Sequence, residues 1–163
     1  MPLFRLIYCS RASVTPQTAP ALRAIVKAAQ KRNAEDEITG MLCYGRPYFF
    51  QCLEGAQVAV CRTMLRIFRD LRHKDIVLIE ARVVDQRTFP DWSMGLVAPS
   101  ELAESFFKNL YEEMATGSSP NAAEQLLALM MRLVDWSIPC TNDCDESGAG
   151  TIPLQVTRFG TSV

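Results

Sequence analysis

Two apolar runs of strand length, Ile38 to Tyr44 and Tyr48 to Leu53, are separated only by Gly45-Arg46-Pro47. A glycine and a proline in so short a link turn the chain back, so the two runs are expected to pair as an antiparallel hairpin. Everything else must be arranged around that pair. Before it, from Ala21, Leu22, Ile25, Val26 and Ala29 recur at helical spacing, with Arg23, Lys27, Gln30 and Lys31 on the other side. This helix is expected to end near Asn33. After Glu54-Gly55, a second helix carries Val58, Cys61, Met64, Leu65, Phe68 and Leu71 as its apolar stripe. Arg62, Arg66 and Arg69 are then its solvated side.

Outside the helices lie further strand-like runs: Leu3 to Ser10, with Phe4, Leu6, Tyr8 and Ser10 on one face, then Ile76 to Val84 and Trp92 to Ala98. The order is β-α-β-β-α-β-β. It predicts an α+β, ferredoxin-like sandwich with two helices on one face of a mostly antiparallel five-stranded sheet. Two more helices follow. Ser100 is the expected N-cap of the first, which carries Leu102, Phe106, Leu110 and Met114. Ser119 and Pro120 are the expected N-cap and first residue of the second, which carries Ala123, Leu126, Leu127, Met130, Leu133 and Val134. The short Gly-Ser-Ser-Pro link makes them a helical hairpin. The chain thus divides into a compact domain over 1–98, a hairpin over 99–137 and a tail over 138–163 whose low apolar content predicts flexibility.

A hydrophobic fraction of 48% excludes disorder as the main state, and 17 basic against 18 acidic residues remove the electrostatic case for nucleic acid or an anionic membrane as partner. No apolar run reaches the ~20 residues of a membrane span. The start, MPLFRLIYCS, lacks the basic region and long apolar stretch of a signal peptide. The expected location is the cytoplasm. Cys9, Cys43, Cys52 and Cys61 lie in apolar segments, where a free thiol behaves as a small hydrophobe. Cys140 and Cys144, spaced C-x3-C in the tail and far from the single histidine, read as loose thiols rather than zinc ligands. There is no dinucleotide-binding glycine motif, P-loop, H-E-x-x-H or G-x-S-x-G. His73 stands in a charged helix exit, where positive charge suits the helix terminus at least as well as it suits catalysis.

The stretch Tyr48 to Gly55, YFFQCLEG, contains the one polar residue that the pattern cannot absorb. Alternation sends Tyr48, Phe50 and Cys52 to one face and Phe49, Gln51 and Leu53 to the other. A primary amide among such neighbours needs hydrogen-bond partners or costs a few kcal/mol. Tyr8, Asn33 and one of Trp92 or Met94, which share a face if the last strand is regular, are the candidates to converge on it. A buried tyrosine bonded to a glutamine as an ordinary core pair is the reading that spacing alone favours at this point.

Five pieces of the chain together resemble the BLUF domain, a blue-light sensor that uses flavin. They are LIYCSRA in the first strand, Arg32-Asn33 followed by ITGML up to Leu42, YFFQCLEG, DLRHKD at Asp70 to Asp75, and FPDWSMG at Phe89 to Gly95. They stand in that family's order and spacing. The resemblance implies the same ferredoxin-like fold, with an isoalloxazine ring held between the two helices. It makes Tyr8 the photoactive tyrosine and Gln51 the switching glutamine, with Asn33 bonded to the ring's pyrimidine edge. Arg32, Arg72 and His73 would approach the ring's polar edge or the ribityl-phosphate chain, with Ser10 and Asp70 nearby. Ile25 and Phe49 would be apolar walls, and Trp92 and Met94 the two residues that trade places beside the glutamine. Ala29 departs from members with a polar residue there.

The resemblance further implies FAD, with FMN or riboflavin as alternatives, and a sensor rather than an enzyme. Its short members act on a partner protein, such as a cyclic-nucleotide phosphodiesterase-type effector, or on copies of themselves, which makes a homo-oligomer the expectation. The residue types suit that chemistry in their own right. A phenol can release both an electron and a proton, and an amide has a donor end and an acceptor end that can be exchanged by rotation. Two other readings stay open, a flavin-dependent oxidoreductase and a ferredoxin-like interaction or small-ligand module without flavin.

Overall fold

The computed structural model describes residues 2–13, 19–98 and 104–135. The hairpin forms as expected from β2 (Thr39–Gly45) and β3 (Tyr48–Ala56), paired antiparallel with Gly45 opposite Tyr48. β3 is the central strand, because β1 (Leu3–Ala12) pairs with its other edge, and β4 (His73–Val84) pairs with β1. A short β5 (Gly95–Val97) adds to β2 in parallel, and the sheet order is β4-β1-β3-β2-β5. The crossovers are α1 (Ala19–Glu35) and α2 (Gln57–Phe68). The ferredoxin-like arrangement with an added strand is therefore the one observed.

Both faces of β3 are covered, which is why eight of its nine residues are buried. On one face, Phe4, Leu6, Tyr8, Leu42, Phe49 and Leu53 meet Leu22 and Val26 of α1 and Val60 and Met64 of α2. On the other, Ile7, Cys9, Met41, Phe50 and Cys52 meet α3 (Glu104–Thr116) and α4 (Ala122–Asp135) through Phe107, Met114, Leu126 and Met130. Gly45 is needed for this second contact: a Cβ there would stand 2.0 Å from the Phe107 ring. Burial pushes the Cys9 and Cys43 thiols up to about 12, so both are inert core groups.

Several local expectations are corrected. The apolar stripe assigned to α2 is largely in water: Val58, Leu65 and Phe68 are 64%, 57% and 56% exposed, Leu71 beyond the helix is 91% exposed, and Cys61 is exposed rather than a core thiol. Met64 of that stripe is buried as expected, and it faces the sheet in one row with Val60 and the half-buried Ile67, which the stripe left out. In α3 the buried ring is Phe107, with Phe106 at 40% exposure. α4 starts at Ala122 rather than Pro120, and the Ser119 hydroxyl donates to Gln125 Oε1 instead of capping a backbone N–H. Ser100, Leu102, Cys140, Cys144 and the tail lie outside the described residues.

The two rows of α2 separate cleanly in stability. Met64→Ala is expected to cost about 2–5 kcal/mol, as core truncations do, and Leu65→Gln to change stability by less than about 0.5 kcal/mol. Urea unfolding of the two variants measures the difference.

Candidate functional site

Tyr8 and Gln51 are Cα partners across β1 and β3, so their side chains leave the same face side by side. Tyr8 is fully buried, and its O–H donates to Gln51 Oε1. The other end of the amide, Nε2, donates to Met94 Sδ at 3.2 Å. Gln51 is thus held firmly at its acceptor end, while its donor end meets a thioether, a weak acceptor. Burial, with Asp70 and Cys9 adding to it, raises the Tyr8 phenol well above its ordinary range, so it stays protonated and remains a hydrogen-bond donor.

Gln51 opens on a cleft between α1 and α2 whose unfilled space, including the mouth, is about 720 Å³. Ile25, Ala28, Ala29, Leu42, Phe49 and Ile67 make its apolar walls, and Arg32, Asn33, Thr63, Arg66, Asp70, Arg72 and His73 its polar ones. A cleft with apolar walls on which polar side chains converge suits a small-molecule ligand that is part apolar and part polar.

The turn after α2 supplies the polar end. The Arg72 guanidinium donates to both Asp70 oxygens, from Nε at 2.9 and 3.0 Å, and this pairing holds the Asp70 carboxyl down at about 2. His73, the first residue of β4 rather than part of a helix exit, shares a 2.8 Å hydrogen bond between Nδ1 and Ser10 Oγ. Its ring centroid lies 4.9 Å from that of Phe49. Burial lowers the His73 pKa against the pull of Asp70, which favours the neutral ring.

The loop 85–94 is bonded to α1 and β2 beside the cleft. Asn33 Nδ2 donates to Ser93 O at 2.8 Å, Gln30 Nε2 to Met94 O at 2.8 Å, and the Gly40 N–H to Trp92 O at 2.9 Å. Met94 and Trp92 do not share a face, contrary to expectation. Met94 is fully buried beside Gln51, while Trp92 sits in the core under α3 and α4, its ring 6.2 Å from Phe89 and its buried indole N–H without a partner among the described residues. The reason is that β5 begins only at Gly95, so strand alternation does not govern residues 92 and 94.

Ile25, Arg32, Asn33, Phe49, Gln51, Asp70, Arg72 and His73 therefore line one cleft. Tyr8, Ser10 and Met94 stand directly behind it, and Trp92 is on the far side of the sheet. Sequence reasoning missed Gln30, Thr63 and Arg66. Gln30 is three residues before Asn33 and Thr63 three before Arg66, so each shares its helix face with its partner, a spacing that could have found both. Arg66, assigned to the solvated side of α2, turns to the cleft and binds Thr63 Oγ1 at 2.8 Å and Asp36 Oδ2 at 2.5 Å.

The chain matches the family described as "Sensors of blue-light using FAD", BLUF, over residues 3–95. It is 35% identical over 102 residues to the photoactivated adenylate cyclase subunit beta of Euglena gracilis, a stretch that is 62% of this chain and only 12% of that relative. The solved dark-state structure of the BLUF protein BlrB superposes with a TM-score of 0.65 at 28% identity, covering 84% of this chain and 98% of BlrB. Klebsiella pneumoniae BlrP1, solved with FMN and cyclic diGMP, gives a TM-score of 0.58 at 25% identity over 82% of this chain and 35% of BlrP1. With its sheet, its cleft and its Tyr8–Gln51 pair in place, the chain belongs to the BLUF family of blue-light sensor domains.

Proposed function

We propose that this chain is a flavin-bound light switch in which Tyr8 is the electron and proton donor and Gln51 is the part that moves. The observation that carries this reading is the Tyr8–Gln51–Met94 chain of contacts set at the back of the cleft. The cleft suits a flavin. Its apolar walls match a flat ring, and Asn33 and Gln51 are amides placed on the lining. Arg66 Nε is a buried donor without an acceptor among the described residues, which suits a ligand with carbonyl or phosphate oxygens. Arg32, Arg66 and Arg72 would face the ribityl-phosphate side, and Ile25, Phe49 and Ile67 the ring. FAD is the flavin in the family's description, and FMN is named with BlrP1.

Bound flavin supplies a one-electron oxidant when it absorbs blue light. Tyr8, directly behind Gln51, would be the donor, and loss of its electron would make the phenolic proton strongly acidic, with the hydrogen bond to Gln51 Oε1 as that proton's path. The amide then exchanges its two ends by rotation or tautomerisation, giving up the weak Met94 contact. The electron and proton return to Tyr8, so that the switched state differs from the dark one only in its hydrogen bonds. Met94 is released toward β5, and the Trp92–Phe89 part of the loop passes the change to α3 and α4. The output is a changed contact with a separate effector, of the cyclic-nucleotide phosphodiesterase type, or with further copies of this chain.

The visible spectrum of the purified protein before and after blue light tests this. The expected result is flavin absorption with a small, reversible red shift. A colourless protein would instead point to an interaction module, and flavin that bleaches only with an added substrate to an oxidoreductase.

A further inference from the structure

Glu54 is a fully buried carboxylate that plays no part in the cleft. It lies three residues after Gln51 on β3 and so on the opposite face of the sheet. Its two oxygens accept the Thr88 N–H at 3.0 and 2.9 Å, and Oε2 also accepts the Phe89 N–H at 3.0 Å. Arg5, itself 7% exposed, lies 3.9 Å from it, bonds Thr88 Oγ1 at 3.1 Å, and is paired with Glu80 at 2.7 Å. Arg87 closes the arrangement by donating to the Glu54 backbone carbonyl at 2.5 Å and to Thr39 Oγ1 at 2.8 Å.

One strand therefore holds the loop at two points of very different strength. At Glu54, two backbone N–H groups and a neighbouring guanidinium grip residues 87–89 with charge-assisted bonds. At Gln51, β3 holds the Met94 side chain by a single amide–thioether contact, and neutral bonds from Gln30, Asn33 and Gly40 hold the Met94, Ser93 and Trp92 carbonyls. Between these points Phe89 and Trp92 enter the core that contains Phe107 of α3. The charge-assisted grip is the firmer of the two, so a change that starts at Gln51 displaces the 92–94 end before residues 87–89.

We propose that Glu54 is a positioning residue of the light response, the pivot that keeps residues 87–89 on β3 so that release of Met94 swings the Trp92 end and nothing else. This rests on the light-switch reading above and adds the element that gives the motion its direction. A carboxylate buried only to stabilise the fold would not distinguish the two ends of the loop in light.

The test follows amide exchange by NMR in the flavin-loaded protein, in darkness and under steady blue light. In the parent protein the Thr88 and Phe89 amides, which report the pivot, are expected to exchange equally in both conditions. The Gly40 amide, bonded to Trp92 O, is expected to exchange faster in light. In Glu54→Gln, where an NH2 replaces one acceptor oxygen, Thr88 and Phe89 should exchange about tenfold faster in darkness, the size of effect expected from losing one charge-assisted bond. The flavin red shift should persist, and the light-dependent change at Gly40 should be lost. The proposal is overturned if light loosens Thr88 and Phe89 in the parent as much as Gly40, a result readable even if the variant does not fold. It is equally overturned if Glu54→Gln keeps the full light response at Gly40, or if it loses the red shift itself. A parent protein that binds flavin but never shifts overturns the light-switch reading instead, and the pivot with it.

Discussion

A Gln51→Leu protein is expected to bind flavin and to show no light-induced red shift. Leucine fills nearly the same volume and suits the neighbours Phe49, Leu42 and Leu53, so the cleft keeps its shape. What disappears is the side chain that hydrogen-bonds both Tyr8 and Met94. With no amide there is nothing to exchange ends, and light leaves the hydrogen bonding at the back of the cleft as it was. The Tyr8 hydroxyl, fully buried, loses its acceptor, which costs about 1–3 kcal/mol and is partly offset by the apolar replacement. The light-minus-dark difference spectrum decides the matter. A shift of the parent's size in this variant would remove Gln51 from the mechanism.

Tyr8→Phe should abolish the shift for a different reason, because the amide survives and the donor is gone. Phenylalanine preserves the packing of the ring against Leu42, Phe49 and Met64 but has no O–H to release. Trp92 cannot take over from the same place, since its indole lies in the core beneath α3 and α4. Gln51 Oε1 is left without its donor, a stability loss of about 1–3 kcal/mol, and the amide becomes free to turn in darkness. The variant is thus expected to differ from Gln51→Leu in its dark spectrum while sharing the absence of a light response. Steady illumination and time-resolved absorption measure both. A reversible red shift in Tyr8→Phe would mean that another group donates.

The pairing of Tyr8 with Gln51 shows how far local pattern carries. Alternation put Tyr8 with Phe4 and Leu6, and Gln51 with Phe49 and Leu53, because pleating dictates which side chains share a face. The order of two-residue and helical periods was enough for the ferredoxin-like class, since strands and helices in that order have few ways to hide their apolar faces. The same logic held only in part on α2, whose apolar residues spread over two rows: it found Met64 but not Val60. Periodicity finds rows, but only the sheet beneath decides that Val60 and Met64 are covered while Leu65 and Phe68 face water. It failed at residues 92–94, because alternation holds only where a strand is paired, and β5 starts at Gly95.

What this sequence determined by itself is therefore the set of elements, their order and the oddity of an amide at Gln51, all properties of neighbours along the chain. What only the tertiary structure decided is what each polar group touches. Gln51 meets Met94 across 43 positions, and Glu54 holds Thr88 and Phe89 across 34 and 35. Such contacts follow from strand register and loop path. Those are settled by burying two apolar faces of one sheet at once, and no local stretch of sequence encodes that on its own.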